Sequence, residues 1–124
     1  MKVKCRQFLD EETGDVLDQN SWLTIGRIYH VLSIHMEFGG RLKFQLVGDD
    51  GLTPAFHDAG QFEVVSCLIP STWCVSSVPG SHFELTPKAW LESGFWEEYF
   101  DGNVKAIALF QCEKEKMLEE EDSQ

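Results

Sequence analysis

Residues 23–65, LTIGRIYHVLSIHMEFGGRLKFQLVGDDGLTPAFHDAGQFEVV, spell out a β-meander with its turns written into it. Alternation is clearest over residues 41–47, where Leu42, Phe44 and Leu46 take one parity and Arg41, Lys43 and Gln45 the other. That is the period of two of a half-buried strand, one face in the core and one in water. Upstream, residues 28–36 form a β-branched, apolar run in which Ile28, Leu32, Ile34 and Met36 share a parity, interrupted by His30. Gly39-Gly40 joins the two runs and supplies the positive φ of a tight hairpin. Asp49-Asp50-Gly51 marks the next turn. A third strand over residues 53–57 must lie at an edge or bend, because Pro54 has no ladder donor. Phe62 and Val64 supply a fourth, short strand. Strands this short, joined by tight turns, make a small, strongly bent sheet or a partly open barrel. These signals concern shape rather than chemistry, which favours a binding module over an enzyme.

Working outward, residues 3–9 form a short strand, followed by the polar loop Glu11-Glu12-Thr13-Gly14-Asp15 with a turn at Gly14. Residues 67–70 make an apolar connector ending at Pro70. Residues 72–78 and 82–86 are strand candidates, and Pro79-Gly80 between them predicts a hairpin. The period then changes to helical. Thr86-Pro87 predicts a helix start running to about Glu92, and Ser93-Gly94 interrupts it. Residues 95–100 add a turn or two, closed by Asp101-Gly102, and Asn103 caps the longest helix, over residues 104–119. On that helix Ile107, Phe110, Lys114 and Met117 form one stripe, with Ala106 beside it. Strands first and helices last define an α+β fold: a small bent antiparallel sheet of five to seven strands, or a partly open barrel, with a C-terminal helical segment. Residues 1–118 form a single globular domain, and residues 119–124 an acidic, frayed tail.

The chain of 124 residues is long enough to bury roughly two-thirds of its unfolded surface without staples. Its cysteines, Cys5, Cys67, Cys74 and Cys112, contain no CxxC pair, so they read as free thiols of a reducing compartment. With no signal peptide and no long apolar run, the expected location is the cytoplasm. Formal net charge is −11. A chain this acidic repels phosphate backbones, which argues against nucleic-acid binding. The excess is uneven: residues 1–62 carry 6 basic and 9 acidic groups, residues 63–124 carry 4 and 12. Glu92, Glu97, Glu98 and Asp101 lie beside Phe95, Trp96, Tyr99 and Phe100, a mixture suited to steering and anchoring a basic protein partner. The same pattern also describes a helix with aromatics in the core and acids in water.

Chemistry is harder to find. The chain lacks GxSxG, P-loop, GxGxxG and HExxH motifs. Its histidines, His30, His35, His57 and His82, sit in or beside strands, and from there they are not expected to converge. His57-Asp58 with Asp49-Asp50 is weighed as an acid/base set or cation site, but turn aspartates have backbone reasons to be there. Cys74 with His82 is weighed as a nucleophile pair, and Cys67, Cys74 and His82 as a metal set; both yield to ordinary structural roles. No catalytic residue, cofactor or metal is expected.

One family resemblance is carried by particular residues. The stretch Leu23-Thr24-x-Gly26-x-x-Tyr29-x-Val31-Leu32, the Asp49-Asp50 turn, Pro54 and Phe62-Glu63-Val64-Val65 resemble the small Src-homology-3-like immunity proteins that bacteria encode beside polymorphic or contact-delivered toxins. Pro87-Lys88-x-Trp90, Gly94-Phe95-Trp96-x-x-Tyr99-Phe100-Asp101 and the residues from Ala106 onward are similar to the aromatic, acidic helical C-terminus of several such proteins. The resemblance implies neutralisation of one cognate toxin domain, with its active site or an adjacent surface blocked. Many such domains attack nucleic acids and are basic, which an acidic inhibitor matches. The expected contact residues are Asp49, Asp50 and Asp58 on the loops, with Trp96, Glu97, Glu98, Tyr99 and Asp101 near the helices. No nucleic acid and no membrane is expected as a partner; exposed Trp73, Trp90 or Trp96 would leave room for a homodimer. The alternatives are a generic Src-homology-3-like protein-binding module and an enzyme using His57 or a cysteine.

Overall fold

The hydrophobic run at residues 28–36 does not make one strand. It bends sharply and serves two sheets. Its first part is β4 (Ile28–His30), which pairs with β1 (Lys2–Cys5); its second is β5 (Ser33–Glu37), which pairs with β6 (Leu42–Val47). The Val31 amide donates to the Met1 carbonyl (3.0 Å), and the next amide, Leu32, donates to the Gln45 carbonyl (2.7 Å). The expected shared parity therefore fails: Leu32 is 1 % exposed, whereas Ile28 and Met36 are largely open.

The computed structural model describes residues 1–123 of the chain, and in these residues the strands form three antiparallel sheets around no closed barrel. One has the order β4-β1-β8, where β8 is Phe62–Ser66. The second has the order β7-β6-β5-β10-β9, with β7 at Pro54–Asp58, β9 at Trp73–Val78 and β10 at His82–Pro87. A small hairpin of β2 (Phe8–Leu9) and β3 (Val16–Leu17) stands apart, and the turn expected at Gly14 lies inside it, with φ of 76°. The architecture is α+β with a partly open sheet. Pro54 opens the edge strand β7, as its missing donor requires. Phe62 and Val64 belong to the other sheet, so the meander of residues 23–65 is divided rather than continuous.

The turns form where the residues allow them. Gly39 takes φ of 75° between β5 and β6, and Gly80 takes 73° after Pro79 between β9 and β10. Thr86-Pro87, by contrast, remains strand. The chain then makes a 3-10 turn, Lys88–Leu91, that no side chain caps. Thr86 is held in the ladder opposite Cys74 and buried, so its hydroxyl is not placed to cap anything. Helix α1 (Phe95–Phe100) follows Gly94, and α2 (Val104–Asp122) begins where Asn103 accepts from the Ala106 amide at 3.0 Å.

Two cores result. Between the two larger sheets lie Val3, Cys5, Tyr29, Val31, Phe44 and Leu46. Under the helices lie Leu32, Trp90, Phe95, Ala106, Phe110 and Met117. Trp73 packs against both and donates its indole N–H to the Met117 sulfur at 3.2 Å. On α2 the buried positions are Ala106, Phe110, Met117 and Glu121, so Ile107, at 37 % exposed, lies off the stripe. The acidic run is not frayed up to Ser123. Glu121 is buried with its carboxylate 3.2 Å from the Met1 amino group, and Glu120 accepts from the Ser71 amide at 2.7 Å. Buried pairing holds the last turn against the start of β1. The remaining residue of the expected 119–124 tail, Gln124, lies outside the described residues.

Candidate functional site

In an antiparallel ladder, residues directly opposite each other share a face. The register Phe44↔His57, Ile34↔Phe44 and Ile34↔Leu85 gives the inner face of the five-stranded sheet, turned toward the three-stranded one. The alternate register, His35↔Lys43, Ser33↔Gln45, Gln45↔Phe56 and Glu84↔His35, defines a polar outer face. Gln45, expected in water, is 3 % exposed on that face and accepts from the Ser33 hydroxyl at 2.7 Å through its side-chain oxygen. The helical segment covers this end of the sheet, so both faces of β6 are buried there.

Two adjoining depressions cross the outer face and share Phe56. The first, of about 460 Å³, lies between the Glu11-Glu12 loop and the β5–β6 hairpin, with His35, Arg41 and Lys43 in its wall. The second, of about 250 Å³, has Ser33, Gln45 and Thr86 in the sheet and Trp90, Phe95 and Trp96 in the helical segment. Three carboxylates, Glu84, Glu92 and Glu97, line this second cleft, and no lysine or arginine does. Trp90 is 3 % exposed and stacks on Phe110 with ring centroids 5.1 Å apart, while Trp96 meets it edge-on at 5.5 Å. The Trp90 indole N–H finds no acceptor among the described residues.

Two histidines do converge, contrary to the sequence expectation. His35 and His82 stack with ring centroids 5.9 Å apart, because β5 and β10, distant in sequence, are neighbours. Glu84 lies 3.5 Å from each ring and Glu37 lies 3.7 Å from His35. His30 and His57 are elsewhere, both held toward the neutral form by burial. Cys74 and His82 do not pair: Cys74 lies opposite Thr86, four residues from His82, a strand distance of roughly 13 Å. Asp49-Asp50 and His57-Asp58 occupy opposite ends of the β6–β7 hairpin. Among the described residues, no group of three or more His, Cys, Asp or Glu is placed to hold a metal ion.

The residues expected to contact a partner separate into two sets. Asp49 is turned inward: it accepts from the Tyr29 hydroxyl (2.6 Å) and the Thr24 hydroxyl (2.6 Å) and pairs with Arg27 (3.1 Å). Burial raises its pKa, but these donors outweigh burial and leave it below the usual aspartate value. Asp58 is buried, pairs with Arg41 at 3.0 Å and accepts from the Gly60 amide at 2.8 Å. Both stabilise the fold. Asp50, Glu97, Glu98 and Asp101 are exposed, while Trp96 and Tyr99 are half-buried. Asp50 receives the Leu52 and Thr53 amides, which lower its pKa. The Tyr99 hydroxyl is pushed up by burial first and by the charge of Asp50 second. Of the tryptophans suggested for a homodimer, Trp90 is buried and Trp73 and Trp96 are half-buried; Trp22, at 42 %, is the open one.

Sequence reading alone passed over Ser33, Gln45, Phe56 and Glu84. Their convergence depends on β5 pairing with β10, a non-local contact without a local signal. Compared with protein-family models, curated proteins and solved structures, the chain finds no match.

Proposed function

We propose that this protein is an immunity protein that binds a cognate toxin domain through a basic surface and neutralises it by covering the active site or the ground beside it. The observation carrying this reading is the second cleft, which Glu84, Glu92 and Glu97 line together with aromatic side chains and which no lysine or arginine lines. Glu98 on α1 and Asp101 at its C-terminal cap are exposed acids of the same segment. Such a surface accelerates encounter with a positive partner, and the half-buried aromatics supply desolvated anchors. Four unpaired cysteines, two of them exposed, fit work in a reducing cytoplasm. No helix among the described residues is long and apolar enough to cross a membrane.

A second reading is favoured by the form of the groove. Two shallow depressions joined at Phe56 also suit an extended peptide, as a generic protein-binding module would take.

The deciding experiment uses wild-type protein and a Glu97→Lys/Glu98→Lys variant as bait in the native cell, followed by expression of each captured domain in a host that lacks this protein. The immunity reading expects a basic domain that arrests growth, with growth restored by the wild type and restored poorly by the variant. Capture only of harmless partners would reject neutralisation and leave the module reading.

A further inference from the structure

The second cleft joins three features that point to one kind of occupant. Its charged lining residues are all acidic, with Glu84, which also lies 3.5 Å from the His35 and His82 rings, rising from β10 and Glu92 and Glu97 from the helical segment. It offers aromatic rings, Trp96 on one side and Phe56 on the other. It also includes Trp90, an almost fully buried side chain whose N–H is left without an acceptor among the described residues. Buried donors are nearly always paired, so an orphan donor on a residue that lines a cleft is a place for an acceptor brought by an occupant, once a small movement of the wall uncovers the indole nitrogen.

A cation alone would satisfy the carboxylates but not the indole. An arginine residue of a protein satisfies both. Its guanidinium is planar, has five donors able to reach more than one carboxylate, and stacks on aromatic faces; its backbone carries a carbonyl. A lysine ammonium is a more strongly hydrated point charge and uses the ring walls less well. We infer that this cleft receives an arginine side chain of the partner protein, the guanidinium set among Glu84, Glu92 and Glu97 against Trp96, and a nearby partner carbonyl accepting from the Trp90 indole. The inference deepens the proposed function, since it names the chemistry by which the acidic face grips its partner.

Its test does not require the partner. The protein, labelled with 15N at its indoles, is titrated in low salt with blocked arginine (Nα-acetyl-arginine N-methylamide). Parallel titrations use the corresponding citrulline, a neutral isostere, and spermidine, a cation without guanidinium or carbonyl. The Trp90 resonance is assigned by its disappearance in Trp90→Phe. The expected result is a saturable shift of that resonance with blocked arginine, of order 1 mM affinity for a single side chain, and none with citrulline or spermidine. Glu97→Gln, an exposed change that leaves the core intact, weakens the arginine titration by about fivefold. A motionless Trp90 resonance at tens of millimolar, an equal response to citrulline or spermidine, or no effect of Glu97→Gln would overturn the inference. Growth protection that persists without arginine binding would sink the cleft assignment alone, whereas arginine binding without any toxic partner would sink neutralisation and leave the cleft.

Discussion

Val31 and Leu32 are adjacent in the chain, each 1 % exposed, and their side chains lie in different cores. Their amides donate to opposite sheets, Val31 to Met1 and Leu32 to Gln45. This peptide is where the strand bends, and it sets the helical layer on the opposite side of the five-stranded sheet from β1.

Truncation at the two positions should therefore be separable. Leu32→Ala removes a side chain from the helical core and is expected to cost about 3 kcal/mol, while Val31→Ala costs about 2 kcal/mol from the inter-sheet core. Trp90 packs in Leu32's cluster, so its environment, followed by indole NMR, should change in Leu32→Ala and hold in Val31→Ala. Equal disturbance of Trp90 by both would mean the cores are not independent.

Tyr29 and Asp49 clamp the three-stranded sheet to the turn after β6. Tyr29→Phe is expected to lose about 1–2 kcal/mol in denaturant melts, since it removes a hydrogen bond to a charged acceptor. Burial, then the Asp49 bond, raises the Tyr29 hydroxyl from its ordinary 10.0 to about 12. A raised folded-state pKa means the contribution is whole below pH 10 and lost as pH climbs to about 12, so wild type should show an alkaline decline between those values. In Tyr29→Phe that decline should flatten.

Glu121 anchors the end of α2. Glu121→Gln leaves a buried amino group without its charge partner and should cost about 3 kcal/mol, whereas Glu119→Gln, on the exposed side, should be neutral within about 0.5 kcal/mol. Burial pushes the Glu121 carboxyl up, but the Ser66 bond and the terminal ammonium prevail and hold it below the ordinary glutamate value. A depressed folded-state pKa gives stability that is present above the unfolded value and lost as pH falls through the folded one. Acid titration of stability should be shallower in Glu121→Gln.

Gly48 sits against the backbone of Trp22, where a Cβ would fall 2.5 Å from a carbonyl oxygen that cannot swing aside. Gly48→Ala should cost about 2 kcal/mol through overpacking. At Gly51 there is open space but φ of 68°, so Gly51→Ala should cost about 1 kcal/mol from backbone strain alone. Thermal melts of the two variants would rank them in that order.

Charge reversal should separate fold from contact. Glu97→Lys with Glu98→Lys should leave stability within about 0.5 kcal/mol yet slow association with a basic partner and reduce its salt dependence. Asp58→Asn should instead lower stability by about 1–3 kcal/mol through Arg41 and the Gly60 amide. Stopped-flow association beside denaturant melts would show whether the acids divide this way.

Several features were legible one segment at a time. Pro79-Gly80, Gly39-Gly40 and the Asn103 cap appear where their backbone chemistry placed them, and Pro54 lies at a sheet edge because it cannot donate. Thr86-Pro87 misled because a capping residue works only where the chain is released from its strand, and pairing with Cys74 and Trp73 holds it there. The acidic end of α2 misled for the reverse reason: a charged turn frays unless something holds it, and the buried Met1 amino group meets Glu121 while the exposed Ser71 amide donates to Glu120. At the candidate site the acids and aromatics of residues 92–101 were visible as composition, but their companions on β5, β7 and β10 were not.

Local chemistry was enough for the turns, the Asn103 cap, the period of most strands and the acidic balance, because each depends on a residue and its near neighbours. Long-range pairing put residues 28–37 in two sheets, turned Asp49 and Asp58 inward, and brought Glu84, Trp90 and Glu97 to one cleft. Those outcomes turn on which strands pair and which face each buries. Both are settled by the burial of surfaces far apart in the chain, and alternation in any one segment reads the same whichever partner covers it.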